Sequence, residues 1–250
     1  MRDALIRVLE ALHLRALARR TAFAARNSDL LRKITAADDR MLSRYLRTNE
    51  VRKLHIGCLD NPLPGWLNAG LELRFPQILR LDATRPFRIG TGDFDFVFSE
   101  HMIEHISHAD GLRMLAECHR ILRPGGRIRI STPDLAFLID LHGEDKTSRQ
   151  HEYVRWVTAE FLDGDSASDT FVINNFFRDW GHQFIYDEKT LRASLQRAGF
   201  VHVTRCPLNV SSEPGLCGLE NAGRMPEGLL ELETLTLEAV KPAASRQRQS

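Results

Sequence analysis

The densest run of chemically capable side chains in this 250-residue sequence lies between positions 99 and 105: Ser99, Glu100, His101, Glu104 and His105. Carboxylates and imidazoles this close can exchange protons or hold a metal ion. His101-x-x-Glu104-His105 has the spacing of the H-x-x-E-H zinc peptidase motif. That chemistry needs both histidines on one helix face, a glutamate base and a further ligand downstream. The residues before the cluster argue against it. Phe94 to Phe98 is an apolar, β-favouring run, so the polar cluster stands at the end of a strand. No metal is expected there. Asp93-Phe94-Asp95 has the acid pair of metal-using sugar transferases, but it precedes the strand and reads as a solvated turn. Cys58 follows Gly57 with no base near it in sequence, and reads as a semi-buried thiol. A single Gly57 cannot make G-x-G-x-x-G, so a dinucleotide site is not indicated.

The elements that must position the cluster follow directly. From Ala109 to Leu122, Leu112, Leu115, Ala116, His119 and Leu122 recur at helical spacing. Pro124-Gly125-Gly126 stops that helix, and Arg127 to Thr132 begins another strand. Strand, helix, strand predicts a right-handed crossover between parallel strands. Ligands of such sheets sit at the C-terminal strand ends, where Glu100, His101 and Asp134 fall. Further strands are predicted at Val51 to Ile56, Leu67 to Leu73, Ile78 to Leu81, Phe200 to Leu208 and Glu233 to Lys241. Helices are predicted over Gln150 to Leu162 and Asp187 to Ala198, the latter ended by Gly199.

The chain divides on these grounds into a helical extension over residues 1–48, an α/β domain over 49–241 and a polar, disordered tail over 242–250. An insertion at about 140–182 breaks the strand rhythm and reads as a helical cap. The first helix carries an apolar stripe of Leu5, Val8, Leu9 and Leu12 flanked by arginines. It reads as packed on the domain edge, with peripheral contact to an anionic membrane or a partner as the alternative. A formal net charge of +1 gives no global field for nucleic acid, so none is expected as a partner. The four cysteines are scattered and form no CxxC pair, which suits reduced thiols and a cytoplasmic location. No apolar run is long enough to span a bilayer.

Several segments together are similar to the class I S-adenosylmethionine-dependent methyltransferases. They are Leu54 to Cys58, Asp82 to Pro86, Asp95 to His105, Leu122 to Gly126, Gly181 to Tyr186 and Leu195 to Phe200. Gly65 to Asn68 resembles a subgroup linked to glycan biosynthesis. The resemblance covers roughly Val51 to Lys241. It implies an α/β fold with a doubly wound, mostly parallel, Rossmann-like sheet and helices on both faces. It implies S-adenosylmethionine as cofactor, and methyl transfer to an oxygen or nitrogen of a small-molecule acceptor such as a sugar or glycan precursor. Gly57, Cys58, Glu72, Asp82, Ala83, Ser99 and Glu100 would form the cofactor site. Asp82 would accept from the adenine amino group, the Ala83 amide would donate to a ring nitrogen, and helix N-terminal amides would suit the carboxylate.

His182, His101 and Asp134 are the candidate bases, with Asp179 beside them. His182 leads because it follows the insertion and imidazole titrates near neutral pH. Trp156, Trp180, Phe171, Phe176, Phe177 and Tyr186 are candidates for the acceptor pocket. The sequence departs from the family where a second glycine gives way to Leu59, a third to Asn61, and the ribose-binding acid to Gly70. These departures open an alternative, a non-catalytic binding or scaffold module on the same fold.

Overall fold

A computed structural model describes residues 32–71, 77–162 and 167–243. The apolar stripe of the first helix with its flanking arginines, Glu72, and the tail from 244 lie outside the described residues. The chain forms two compact units, Met1–Arg44 and Tyr45–Ser250. A helix (α1) runs over 32–48, and the described residues of the first unit, 32–44, are all helical. All the features below belong to the second unit.

Seven strands form one sheet in the order β3-β2-β1-β4-β5-β7-β6. They are β1 (Lys53–Ile56), β2 (Leu67–Gly70), β3 (Leu79–Arg80), β4 (Phe94–Glu100), β5 (Leu122–Pro133), β6 (Val201–Arg205) and β7 (Thr234–Val240). β7 runs antiparallel to both neighbours, and the other pairings are parallel. This is the mostly parallel α/β sheet the alternation predicts. Tyr45 fixes the entrance to β1: its hydroxyl lies 3.0 Å from the carbonyls of Lys53 and Gly65 and 2.9 Å from the Lys53 amide nitrogen.

The crossover from β4 to β5 holds the site. The turn Ile103–His105 is a single 3₁₀ turn, followed by α2 (His108–Ile121). Ser107 caps α2 by accepting from the Asp110 amide. Gly111, Met114, Leu115, Cys118 and Ile121 form its buried stripe. β5 starts at Leu122, earlier than predicted, because Gly125 donates to Lys241 and Lys241 donates back to Gly126. The glycine turn is therefore absorbed as a bulge, with a register shift opposite Phe94 and Phe96.

No helix lies between β1 and β2, or in residues 81–93 between β3 and β4. The expected helix N-terminus after Gly57 is thus missing. Ten residues, 57–66, are too few for a helical crossover.

The insertion forms a cap with its own core. It comprises α3 (Leu135–Leu141), α4 (Ser148–Phe161) and α5 (Asp169–Arg178), joined later in the chain by α7 (Leu229–Glu233). Leu138, Tyr153, Val157, Val172, Phe176 and Leu229 pack together between them. Thr147 and Gln150 make a reciprocal capping box at the start of α4. α6 (Glu188–Arg197) begins at the Asp187 cap and packs on α2, β6 and β7. Among the described residues, no helix is long and apolar enough to cross a membrane.

Candidate active site

Three hollows meet at the C-terminal ends of β1, β2 and β4, and all three are walled by Leu59 and His101. The largest, about 430 Å³, is lined by Gly57, Gly70, Leu81, Asp82, Ala83 and Met102 among others. Gly57 sits at φ +78°, and a Cβ there would lie 2.4 Å from the Met102 Cγ. Only glycine fits this bend without displacing Met102. The Gly57 and Cys58 amides both donate to the Ala69 carbonyl, at 2.8 and 3.2 Å. They lace β1 to β2 and are not offered to a ligand, which corrects the expected role of helix-terminal amides. Asp82 Oδ1 accepts from the Thr84 amide and hydroxyl, at 2.9 and 2.7 Å, and Oδ2 lies 3.8 Å from Arg85 Nε. Its carboxylate thus stands at the rim of the cleft with one oxygen loosely held. At Gly70 a Cβ would meet nothing within 4 Å, so open space stands where the resemblance implies an acid.

The second hollow, about 180 Å³, is lined by Cys58, Asn61, Glu100, Asn221 and Arg224 as well as Gly57. Asn61 Nδ2 is buried without a hydrogen-bond partner. Glu100 accepts from the Asn221 amide at 3.0 Å. Burial pushes its carboxyl above the usual range, against the pull of Arg224 and His101. Cys58 is buried, and burial raises its thiol, so it serves as wall and not as nucleophile. Ser99 is a correction. It is fully buried, its hydroxyl has no partner, and it lines none of the three hollows. Alternation along β4 sends Glu100 toward the site and Ser99 into the opposite layer.

A buried polar layer holds the segment that carries Asn221 and Arg224. Arg129, fully buried on β5, donates to Glu220 and Glu238 at 2.6 Å each. It also donates to the carbonyls of Val210 and Pro207, at 3.0 and 3.1 Å. Glu220 accepts in addition from Ser131 at 2.7 Å and from the Asn209 amide at 2.8 Å. Beside this layer Trp66, Phe98, Leu216 and Leu219 form an apolar cluster.

The third hollow, about 350 Å³, lies under the cap. Trp156, Phe161 and Trp180 wall it, with Glu104, His105, His182 and Glu233 on the polar side. Phe161 meets Trp156 and Trp180 edge-on, with centroids 5.4 and 5.1 Å apart. Of the predicted aromatics, Trp156 and Trp180 are here. Phe176 belongs to the cap core, Phe171 and Phe177 face solvent, and Tyr186 is fully buried away from the cavity. Phe161 is the wall residue that sequence reasoning missed.

The polar side of this hollow is organised by η1, the 3₁₀ turn at Ile103–His105. Because it is not an α-helix, His101 and His105 do not share a helix face, and the zinc peptidase arrangement does not form. His101 Nε2 lies 3.1 Å from Thr234 Oγ1, and Nδ1 lies 3.4 Å from Glu104 Oε1. With both ring nitrogens engaged, His101 is a wall and not the base. Glu104 is fully buried and accepts from Thr132 Oγ1 at 3.1 Å. Burial raises its carboxyl, but His101 and His105 outweigh that and hold it below the usual range. His182 Nδ1 lies 2.8 Å from the Phe176 carbonyl. A carbonyl only accepts, so Nδ1 carries the proton and Nε2 of the neutral ring keeps its lone pair. Burial lowers the His182 pKa, against the pull of Glu104. His105 stacks edge-on against it at 4.8 Å.

Asp134 and Asp179 are corrections. Asp134 Oδ1 caps α3 through the Ala136 amide at 3.0 Å, and Oδ2 pairs with Arg205 at 3.0 Å. Both oxygens are committed to structure. Asp179 is the exposed C-cap of α5.

Among the described residues five non-glycines adopt left-handed backbone; His202 and Asn209 lie away from the hollows, and the others are Leu59 at φ 40°, His101 at φ 43° and Trp180 at φ 57°. Leu59, His101 and Trp180 line the hollows. Such conformations cost about 1–3 kcal/mol each and persist where surrounding structure imposes them, which is common at functional sites. No sequence pattern announces them.

Among solved structures, the chain is similar to phosphoethanolamine N-methyltransferase 2 of Haemonchus contortus in complex with S-adenosyl-L-methionine. Identity is 15% and the TM-score 0.41, over 82% of this chain and 52% of that one, so the chain spans about half the length of that enzyme. It is similar to an S-adenosylmethionine-dependent methyltransferase of Mesorhizobium loti, with 16% identity and a TM-score of 0.46, over 78% of this chain and 95% of that one. It is also similar to a possible histamine N-methyltransferase of Thermotoga maritima, with 15% identity and a TM-score of 0.43, over 86% and 97% of the two chains. No curated protein matches the chain. Residues 65–130 match a family model described as a methyltransferase domain, a stretch that runs from the approach to β2 into β5 and holds Asp82, Glu100, His101, Glu104 and His105.

Proposed function

We propose that the chain transfers a methyl group from S-adenosylmethionine to an oxygen or nitrogen of a small polar acceptor, a sugar unit being the class that the tryptophan walls suit. The observation that carries this reading is the junction of three hollows at Leu59 and His101. One matches an adenosyl group in size, one an amino-acid end, and one a small ring. The fit is chemical as well. Asp82 would accept from the adenine amino group at the rim of the large cleft. Asn61 Nδ2, a buried donor without a partner, and Arg224 would donate to the carboxylate, and Glu100 would face the ammonium. The bound cofactor supplies an electrophilic methyl on a sulfonium sulfur.

Trp156 and Trp180 would orient the acceptor ring, and orientation is the main source of rate in such a displacement. The His182 Nε2 lone pair would take the acceptor proton. Titration calorimetry with S-adenosylmethionine tests the cofactor half. Micromolar binding by the native chain, weakened about tenfold to a hundredfold in Asp82→Ala, supports the reading. Absence of heat at millimolar ligand refutes it. Such an absence would favour the scaffold alternative, whose motivating observation is the empty space at Gly70 in place of a ribose-binding acid.

A further inference from the structure

The group that the sequence spacing failed to form is replaced by a different one. Glu104, His105 and His182 each offer a ligand atom, and these atoms lie within 4.8 Å of one another. Two of them come from η1 and the third from the loop after α5, about 77 positions on by the numbering of the chain. Two imidazoles and one carboxylate are a donor set for zinc and non-haem iron, leaving further coordination positions open.

Independent observations single out this cluster. Glu104 is fully buried, and its Oε1 meets no donor in hydrogen-bond geometry, the His101 ring nitrogen standing 3.4 Å away. Its other oxygen is oriented by Thr132 at 3.1 Å. His182 is oriented in the same way, Nδ1 being held by the Phe176 carbonyl at 2.8 Å so that Nε2 is left to bind. An imidazole fixed through its second nitrogen by a carbonyl is how metal-binding histidines are held. All three residues line the aromatic cavity under the cap, so the open positions face the space where an acceptor would sit.

We propose that Glu104, His105 and His182 bind one divalent transition-metal ion at the floor of this cavity. Bond lengths of about 2.0–2.2 Å to nitrogen and oxygen put donors roughly 3.3 Å apart around a tetrahedral ion. The two histidines are only half-buried and can close that gap by small side-chain rotations. The ion's open positions would receive an oxygen or nitrogen of the acceptor, and with the ion bound His182 acts as a ligand in place of a base. Binding of the ion does not depend on the methyl-transfer reading; only its role in holding the acceptor does.

The test uses the full chain without an affinity tag, stripped with chelator. Cobalt(II) is titrated, with calorimetry and visible absorption as readouts. The expected result is one ion per chain and a d–d band without the intense near-ultraviolet charge transfer of thiolate ligation. Binding should weaken at least about tenfold in His182→Ala and in His105→Ala. Thermal melts of the stripped variants check folding, and either variant suffices if the other fails to fold. No uptake at millimolar cobalt, uptake unchanged in both variants, or a thiolate spectrum overturns the proposal. S-adenosylmethionine titrated into the stripped chain reports separately on the methyl-transfer reading. Cobalt uptake without cofactor binding would end that reading and leave the metal site standing.

Discussion

Replacing Gly57 with alanine puts a methyl group where β1 turns into the site, and its cost can be worked from the structure. The backbone there is at φ +78°, and a Cβ would stand 2.4 Å from Met102 Cγ and 2.7 Å from Met102 Cβ. The left-handed conformation alone costs an L-residue about 1–2 kcal/mol. Displacing Met102 adds about 1–3 kcal/mol of overpacking. The sum is about 2–5 kcal/mol. In a domain of this size each kcal/mol moves Tm by about 2–4 °C, so Gly57→Ala should melt about 4–20 °C lower. The two contributions separate in a double-mutant cycle with Met102→Gly, which removes both clashing atoms. The cycle should return a coupling of about 1–3 kcal/mol, leaving the conformational part behind. Because Met102 lines the large hollow, the single variant should also bind S-adenosylmethionine more weakly. Urea unfolding at constant m-value is the assay. A Gly57→Ala protein as stable as the native chain, or a cycle with no coupling, would refute the packing argument and the shape assigned to the cleft.

Three further outcomes follow from other residues. His55 is buried, donates toward Asn68 at 3.2 Å, and has its pKa lowered by burial to about 4 from 6.5. The unfolded chain therefore binds more protons, and stability should fall as pH drops from about 6.5 to about 4, by up to ~3 kcal/mol at ~1.4 kcal/mol per unit. Urea midpoints against pH should show this slope in the native chain and lose it in His55→Gln. Glu220→Ala strips the buried Arg129 of one partner and should cost about 3–5 kcal/mol, measured by denaturant unfolding; a loss below ~1 kcal/mol would contradict the burial of the pair. Asn61→Leu removes a buried donor that has no partner, so the free protein should gain up to about 1 kcal/mol while cofactor affinity falls about tenfold. Calorimetry and melting of the same variant decide, and equal loss in both would make Asn61 merely structural.

The central crossover was legible because periodicity changes sharply there. Phe94–Phe98 is apolar, the next residues are polar, and α2 follows with its stripe and cap. Asp82, Ala83, Glu100 and Gly57 were correctly placed at strand ends because a parallel sheet puts its loops at one edge. What stayed hidden depends on contacts distant in sequence. Arg127 to Thr132 reads as a strand without marking which side chains are buried, yet Arg129 is fully buried against acids some ninety to a hundred and ten positions later. Asp134 reads as a candidate base and is a cap, because its role is set by Ala136 and Arg205. The convergence of His182 on Glu104 and His105 needs the cap to fold back across the sheet, and spacing along the chain carries no trace of it.

Arg129 also has a consequence for how this chain tolerates change. A single guanidinium grips the long connection between β6 and β7 at its near end, through the Pro207 and Val210 carbonyls, and at its far end through Glu220. Between those anchor points Leu216 is fully buried in the cluster with Trp66 and Phe98, Ser211 donates to Glu238 and Glu213 pairs with Arg127, so the exposed Ser212, Pro214 and Cys217 are the positions of this tethered span that face outward. Substitutions at those outward positions should leave the three hollows in register, whereas replacing Leu216 would remake the interior beside the buried guanidinium.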